Sequence, residues 1–207
     1  MLHALVTIAG RLDEAIVEYE NAIRYNEDHA DAHNNLGVAW EEKGYVEDAV
    51  ECYRRAMKAK PEHGEAHCNL ADALQSLGRL DEAIKEYQIA ISYNSQDADA
   101  INNMGVALEA QGQIDAAIQA YTTSVAHNPQ HWDAQCNLAD ALHARGQLDT
   151  AISLYRTIIK NCPNEASVYS SLGNALHANN DIKEAIQVDG IVLSSACVGL
   201  RSNLYRL

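Results

Sequence analysis

The chain is predicted to be all-α, a solenoid of antiparallel helix pairs, and three observations carry that expectation. Marker residues recur at a fixed interval: Tyr19, Tyr53, Tyr87, Tyr121 and Tyr155 stand 34 residues apart, as do Ala15, Ala49, Ala83, Ala117, Ala151 and Ala185, and Gly10, Gly44, Gly78, Gly112 and Gly146. Within each period two apolar stripes follow helical spacing, separated by a polar turn at the recurring glycine. The composition agrees, with no Phe and three Pro in 207 residues while Ala and Leu recur throughout, a balance that favours helix over sheet.

Counting from Ala30 as position 1, full repeats occupy 30–63, 64–97, 98–131 and 132–165, with a partial repeat over 1–29 and an incomplete one over 166–187. In the second repeat the first helix, 30–43, is expected to bury Ala32, Leu36, Gly37, Ala39 and Trp40. Its small residues let a neighbouring helix approach to about 8–10 Å. The second helix, 46–59, brings Ala49, Tyr53 and Ala56 to the same seam. Pro61 ends it, because proline cannot donate within a helix, and Pro129 and Pro163 fall at the same repeat position. One hairpin cannot bury its own apolar face, so stacked neighbours complete the core. Gly10 is expected to make the same turn in the partial first repeat. The sixth repeat begins in register with Leu172, Gly173, Ala175, Leu176 and Ala185, then places Asp189 where earlier repeats have Tyr. The segment 188–207 is therefore read as an aberrant tail, and the chain as cut off inside a repeat at each end. A longer period is also present: residues 68–74 recur identically at 136–142, and 10–16 at 78–84. Repeats of Leu-Gly type thus alternate with repeats of Leu-Ala-Asp type, as duplication of a two-repeat unit would leave them.

Leu36-Gly37, Trp40, Ala49, Tyr53, Ala56 and Pro61 resemble the tetratricopeptide repeat (TPR) pattern, and the resemblance extends over all but the last 20 residues. It implies a right-handed superhelical solenoid whose first helices line a concave groove, and a non-catalytic protein-interaction scaffold.

In the first helices, positions 2, 5, 6, 9, 12 and 13 form a polar stripe opposite the buried one. Position 6 is Asn35, Asn69, Asn103 and Asn137, and position 5 is Asn in two repeats, Asn34 and Asn102. Asn is a mediocre helix former, but its carboxamide both donates and accepts, which suits the backbone of an extended peptide. With first helices about 8–10 Å apart and an extended chain advancing about 3.3 Å per residue, one Asn meets roughly every third ligand residue. Around them stand Asp72 and Asp140 at position 9, and Glu41, Glu109 and His143 at position 12. The row resembles the asparagine ladder in the TPR region of O-linked GlcNAc transferases, which implies a hold on polypeptide backbone. A second function follows from that likeness: a substrate-recognition piece of a glycosyltransferase whose catalytic domain lies outside these residues. The basic clamp of TPR co-chaperones that hold acidic tails is missing, since no Lys or Arg occupies these positions.

The formal charge of −14 argues against binding to phosphate backbones and to anionic membrane surfaces. No Lys or Arg stands between Lys85 and Arg145, so the expected partner is a protein or peptide, neutral to basic. No apolar run approaches the roughly 20 residues of a membrane span, and the first ten residues lack the basic start of a signal peptide. Five Cys without a CxxC are read as free thiols in cytosol or nucleus. The pairs His29/His33, His63/His67 and His127/His131 have i,i+4 spacing, but no third ligand recurs with them, so neither metal nor cofactor is expected. No pattern assembles a nucleophile or a phosphate loop, and an enzyme is not expected.

Overall fold

The computed structural model describes residues 2–163, 165–188 and 190, with residues 2–10 described by backbone alone. They form helices and turns, with no strand among the described residues. The chain divides into two compact units, Met1–Gly112 and Gln113–Leu207.

In the first unit, α1 (Leu2–Tyr25), α2 (Ala30–Glu42), α3 (Val46–Ala59), α4 (Gly64–Ser76), α5 (Leu80–Tyr93) and α6 (Ala98–Ala110) pack each against the next. The first helices of successive repeats also touch, α2 with α4 and α4 with α6. In the second unit, α7 (Ile114–His127), α8 (Trp132–Ala144), α9 (Leu148–Asn161) and α10 (Ala166–Ala178) repeat the arrangement, α8 touching α10. A further helix runs over 182–188.

The turn between paired helices turns on one backbone conformation. Gly44, Gly78, Gly112 and Gly146 all have φ between 72° and 85°, the left-handed region where a side chain is costly. The sixth repeat has Asn180 at this position, with φ 66°, and Asn is the other residue that adopts this conformation readily. Gly10 departs from the expectation. It lies inside α1, which continues unbroken through it.

The starts of α2, α4, α6 and α8 are closed by position 34 of the preceding repeat. His29, His63 and His131 each accept, through Nδ1, the N–H of the third helical residue (Ala32, Ala66 and Ala134), and Asp97 does so for Ala100. Each satisfies a backbone donor that the helix itself leaves open. The second helices have no such side chain and place acids in their first turn instead: Glu47 and Asp48, Asp81 and Glu82, Asp115, Asp149. These favour the positive end of the helix dipole.

The core is made of what the period repeats. Ala49, Ala83, Ala117, Ala151 and Ala185 are 0% exposed, and Tyr53, Tyr87, Tyr121 and Tyr155 at most 1%. Alanine lets backbones close up and tyrosine fills the space that remains. Val188, one residue past the expected match, is also buried, against the cluster holding Ala185 and Leu176. The rest of the expected tail, Gly190 excepted, lies outside the described residues.

Candidate functional site

Two of the asparagines expected to form a ladder, Asn69 and Asn103, are tied to side chains of the preceding first helix. In the first unit, Asn69 Nδ2 on α4 donates to Asn34 Oδ1 on α2 at 2.9 Å, and Asn34 Nδ2 donates back to Glu65 Oε1 at 3.4 Å. One repeat further, Asn103 Nδ2 on α6 donates to Asp72 Oδ1 on α4 at 3.1 Å, and Asn102 Nδ2 donates to Asn103 Oδ1 at 3.3 Å. Position 5 is inside this arrangement: Asn34 is 1% exposed and Asn102 5%. Position 6 stands further out, with Asn35 exposed and Asn69 and Asn103 half-buried. Because a carboxamide carries two N–H donors, Asn69 and Asn103 each keep a second N–H after these bonds are made. In the second unit α8 carries Asn137 and His143, both half-buried, and Asp140, which is exposed.

The carboxylates of positions 9 and 12 are held from behind by the buried tyrosines, and the alternation of repeat types governs which one is used. In the second repeat Tyr53 donates its hydroxyl to Glu41 Oε2, at position 12, at 2.8 Å. In the third, Tyr87 donates to Asp72 Oδ1, at position 9, with a second contact to Gln75 Oε1 at 3.2 Å. In the fifth, Tyr155 donates to Asp140 Oδ1, again position 9, at 2.6 Å. The switch follows position 8. A Cβ on Gly37 would stand 2.5 Å from Tyr53 Cε1, so the glycine admits the ring close against α2. Ala71 and Ala139 occupy the same position in the repeats where Asp takes the hydroxyl. Glu109 lies half-buried in the fourth repeat, which again carries Gly at position 8.

Burial governs the protonation of these groups. It raises the Asp72 carboxyl above the usual carboxylate range, against the lowering effect of the Tyr87 and Asn103 hydrogen bonds. It raises the phenols of Tyr53, Tyr87 and Tyr155, with the facing carboxylates acting in the same direction. The thiol of Cys52 is pushed up to about 11, and those of Cys68 and Cys136 to about 12, also by burial. They are therefore neutral at pH 7, and a neutral thiol is a poor nucleophile. Two of the three histidine pairs are occupied in the turns between repeats, His29 and His63 as caps and His33 and His67 against the carbonyls of Glu27 and Pro61. Among the described residues no three His, Cys, Asp or Glu side chains come together as metal ligands would. No described helix is long and apolar enough to cross a membrane.

Family models described as tetratricopeptide repeat or TPR repeat tile the chain from residue 7 to residue 187, at 7–44, 30–63, 52–85, 71–112, 102–166 and 154–187. The chain belongs to the tetratricopeptide-repeat family. Solved structures resemble this TPR chain in fold. YrrB, a TPR protein with an unusual peptide-binding site, aligns with TM-score 0.75 and 18% identity over 85% of this chain and 91% of its own. MamA aligns with TM-score 0.76 and 24% identity over 80% and 97% respectively, and a TPR protein from Parabacteroides merdae with TM-score 0.75 and 18% identity over 89% and 73%. A search of curated proteins found no match. These likenesses support the repeat family and its fold, and do not extend to the narrower likeness with GlcNAc-transferase repeats.

Proposed function

We propose that this TPR protein is a non-catalytic scaffold that binds an extended, neutral to basic peptide along its first helices, with Asn35, Asn69 and Asn103 as the contacts of the first unit. The observation that supports the reading is the hydrogen bonding that holds Asn69 to Asn34 of α2, and Asn103 to Asp72 of α4 and to Asn102. A side chain already held by its neighbours loses little freedom when a ligand arrives, so less of the binding energy goes to ordering it. Asn34 and Asn102 act from beneath, fixing the position-6 amides. Asp31, Glu65, Asp72, Asp99 and Glu41 give the same helices their negative charge, which favours a basic ligand. Asn137, Asp140 and His143 offer the same residue types on α8 of the second unit.

Replacing Asn35, Asn69 and Asn103 together by Ala is expected to weaken binding of a fluorescein-labelled flexible peptide of Gly, Ser and Lys by roughly tenfold or more. Each lost hydrogen bond is worth about 0.5–1.5 kcal/mol. Fluorescence anisotropy measures the loss, with circular dichroism reporting that helicity is kept. Because backbone is gripped, scrambling the peptide should not change the ratio. An unchanged affinity in the triple variant would show that the asparagines serve only the scaffold.

A further inference from the structure

His33 and His67 occupy position 4 of consecutive repeats, and each stands against the turn that precedes its own helix. His33 Nε2 is 2.9 Å from the carbonyl oxygen of Glu27, and His67 Nε2 is 3.0 Å from that of Pro61. A carbonyl oxygen only accepts, so in both rings Nε2 carries a hydrogen. The second ring nitrogens then differ. His67 Nδ1 lies 2.7 Å from Glu86 Oε2. His33 Nδ1 has no hydrogen-bond partner, although the residue is only 4% exposed. The cause is one residue, because position 23 is Glu86 in the third repeat and Cys52 in the second. The Cys52 thiol is buried and neutral, and it does not hydrogen-bond the ring. Buried nitrogens left unpaired are uncommon and costly.

His33 also lines a cleft of about 450 Å³ formed by α1, α2 and α3. Ile23 and Leu36 give it apolar walls, Arg24 and Arg55 two guanidinium groups, and Glu20 and Glu27 two carboxylates. Adjoining space is lined also by Lys58 and Asp28. Three cations thus line this space beside three acids, in a chain of net charge −14. Arg55 already holds Glu51 at 3.2 Å and Arg24 holds Asn21 at 3.3 Å, each through one of a guanidinium's five N–H donors.

We propose that this cleft is a receptor for a carboxyl group, which takes at His33 the place that Glu86 takes at His67 once the side chains that cover Nδ1 move aside. A carboxyl suits Nδ1 in either state of the ring, as an acid donating to the lone pair or as a carboxylate accepting from an N–H. A hydroxyl or an amide lacks the charge that Arg24 and Arg55 recognise. The methylenes of a glutamate-like ligand rest on Ile23 and Leu36. The group belongs either to an acidic side chain of a partner protein or to a free small dicarboxylate.

The test follows the ring nitrogens of His33 by long-range proton–nitrogen spectra of the labelled full chain, and for the His33→Gln variant the backbone amides of Ile23 and Leu36 in the cleft wall, during titration with two probes. These are N-acetylglutamate N-methylamide, standing for an acidic side chain, and glutarate. A saturable shift of His33 is expected, absent with N-acetylglutamine N-methylamide. Two variants are each expected to weaken the probe by roughly tenfold or more, as loss of one hydrogen bond to a charged group implies. His33→Gln keeps the turn bond, as Gln135 keeps it to the carbonyl of Pro129 at 2.6 Å, but removes Nδ1. Cys52→Glu supplies the carboxylate from within the chain. Saturation by the peptide-like probe assigns a partner's side chain, and saturation by glutarate alone assigns a free dicarboxylate. Absence of a saturable shift with either probe, an equal shift with the glutamine probe, or full binding by His33→Gln overturns the proposal.

Discussion

A methyl group on Gly37 would meet the Tyr53 ring at 2.5–3.0 Å, and that single approach links three positions of the repeat. With Gly at position 8 the Tyr53 hydroxyl ends on Glu41; with Ala71 at the same position the Tyr87 hydroxyl ends on Asp72. Gly37→Ala is therefore expected to lower stability by about 1–3 kcal/mol, the usual cost of overpacking, read from urea denaturation. Adding Val38→Asp and Glu41→Gln rebuilds the neighbouring repeat's set and should recover a large part of the loss. If the triple variant is no more stable than Gly37→Ala alone, the three positions are not coupled as described. Asp72 allows a second test. Burial raises its pKa when folded, so the folded protein binds this proton more readily than the unfolded chain, whose Asp titrates near 3.9. Stability contributed by this proton is thus present at low pH and lost as pH rises through the folded value. Parent and Asp72→Asn, compared by urea denaturation at steps from pH 4 to pH 7, should differ more in the parent's favour at the acid end. A constant or reversed difference would refute the assignment.

At the scale of the element, the helices were legible where the period repeats a backbone requirement. The predicted span 46–59 coincides with α3, and 30–43 exceeds α2 by one residue, because glycine at the turn and proline after the second helix act within a few residues of themselves. The alternation of repeat types was also legible, but its cause was not, since the choice between Glu41 and Asp72 is made by a tyrosine from the other helix of the pair. The same limit applies to Asn34 and Asn102, which share a polar stripe with Asn35 and Asn103 on a helical wheel but are buried in the folded chain. Gly10 shows the reverse case, a local turn signal through which α1 continues as helix. Position 34 carries no single cap residue in the sequence, because His29, His63 and His131 cap through a ring nitrogen where Asp97 caps through a carboxylate. From this follows a prediction for α4. His63→Ala should cost about 0.5–2 kcal/mol, and His63→Asn should restore much of it, because an amide oxygen caps as a ring nitrogen does. Chemical denaturation monitored by circular dichroism decides it. Equal losses in both variants would place the value of His63 in its contact with Asp31 at 3.0 Å, not in the cap.

For the whole molecule the governing quantity is charge. Fifteen Lys and Arg stand against 29 Asp and Glu, and the basic side chains are partly consumed by neighbours. Lys43 pairs with Asp13, Arg145 with Asp115 and Arg156 with Glu184, all at the surface. The first and second of these join position 14 of one repeat to position 18 of the repeat before it, as Gln111 joins Asp81 and Asn179 joins Asp149 through neutral amides. Exposed pairs of this kind contribute about 0–1 kcal/mol each, so salt has little there to take away. The uncompensated acids repel one another over distances that salt shortens, the screening length falling from about 30 Å at 0.01 M to about 10 Å at 0.1 M. Raising sodium chloride from 10 to 300 mM is therefore expected to increase the thermal midpoint by a few degrees. The same addition should weaken the Lys-containing peptide, because the attraction being screened is between ligand and scaffold. Opposite signs from one titration separate the two effects. A thermal midpoint that falls with salt would show that the ion pairs outweigh the repulsion. A peptide affinity that ignores salt would remove charge from the binding mechanism and leave the carboxamides to account for it.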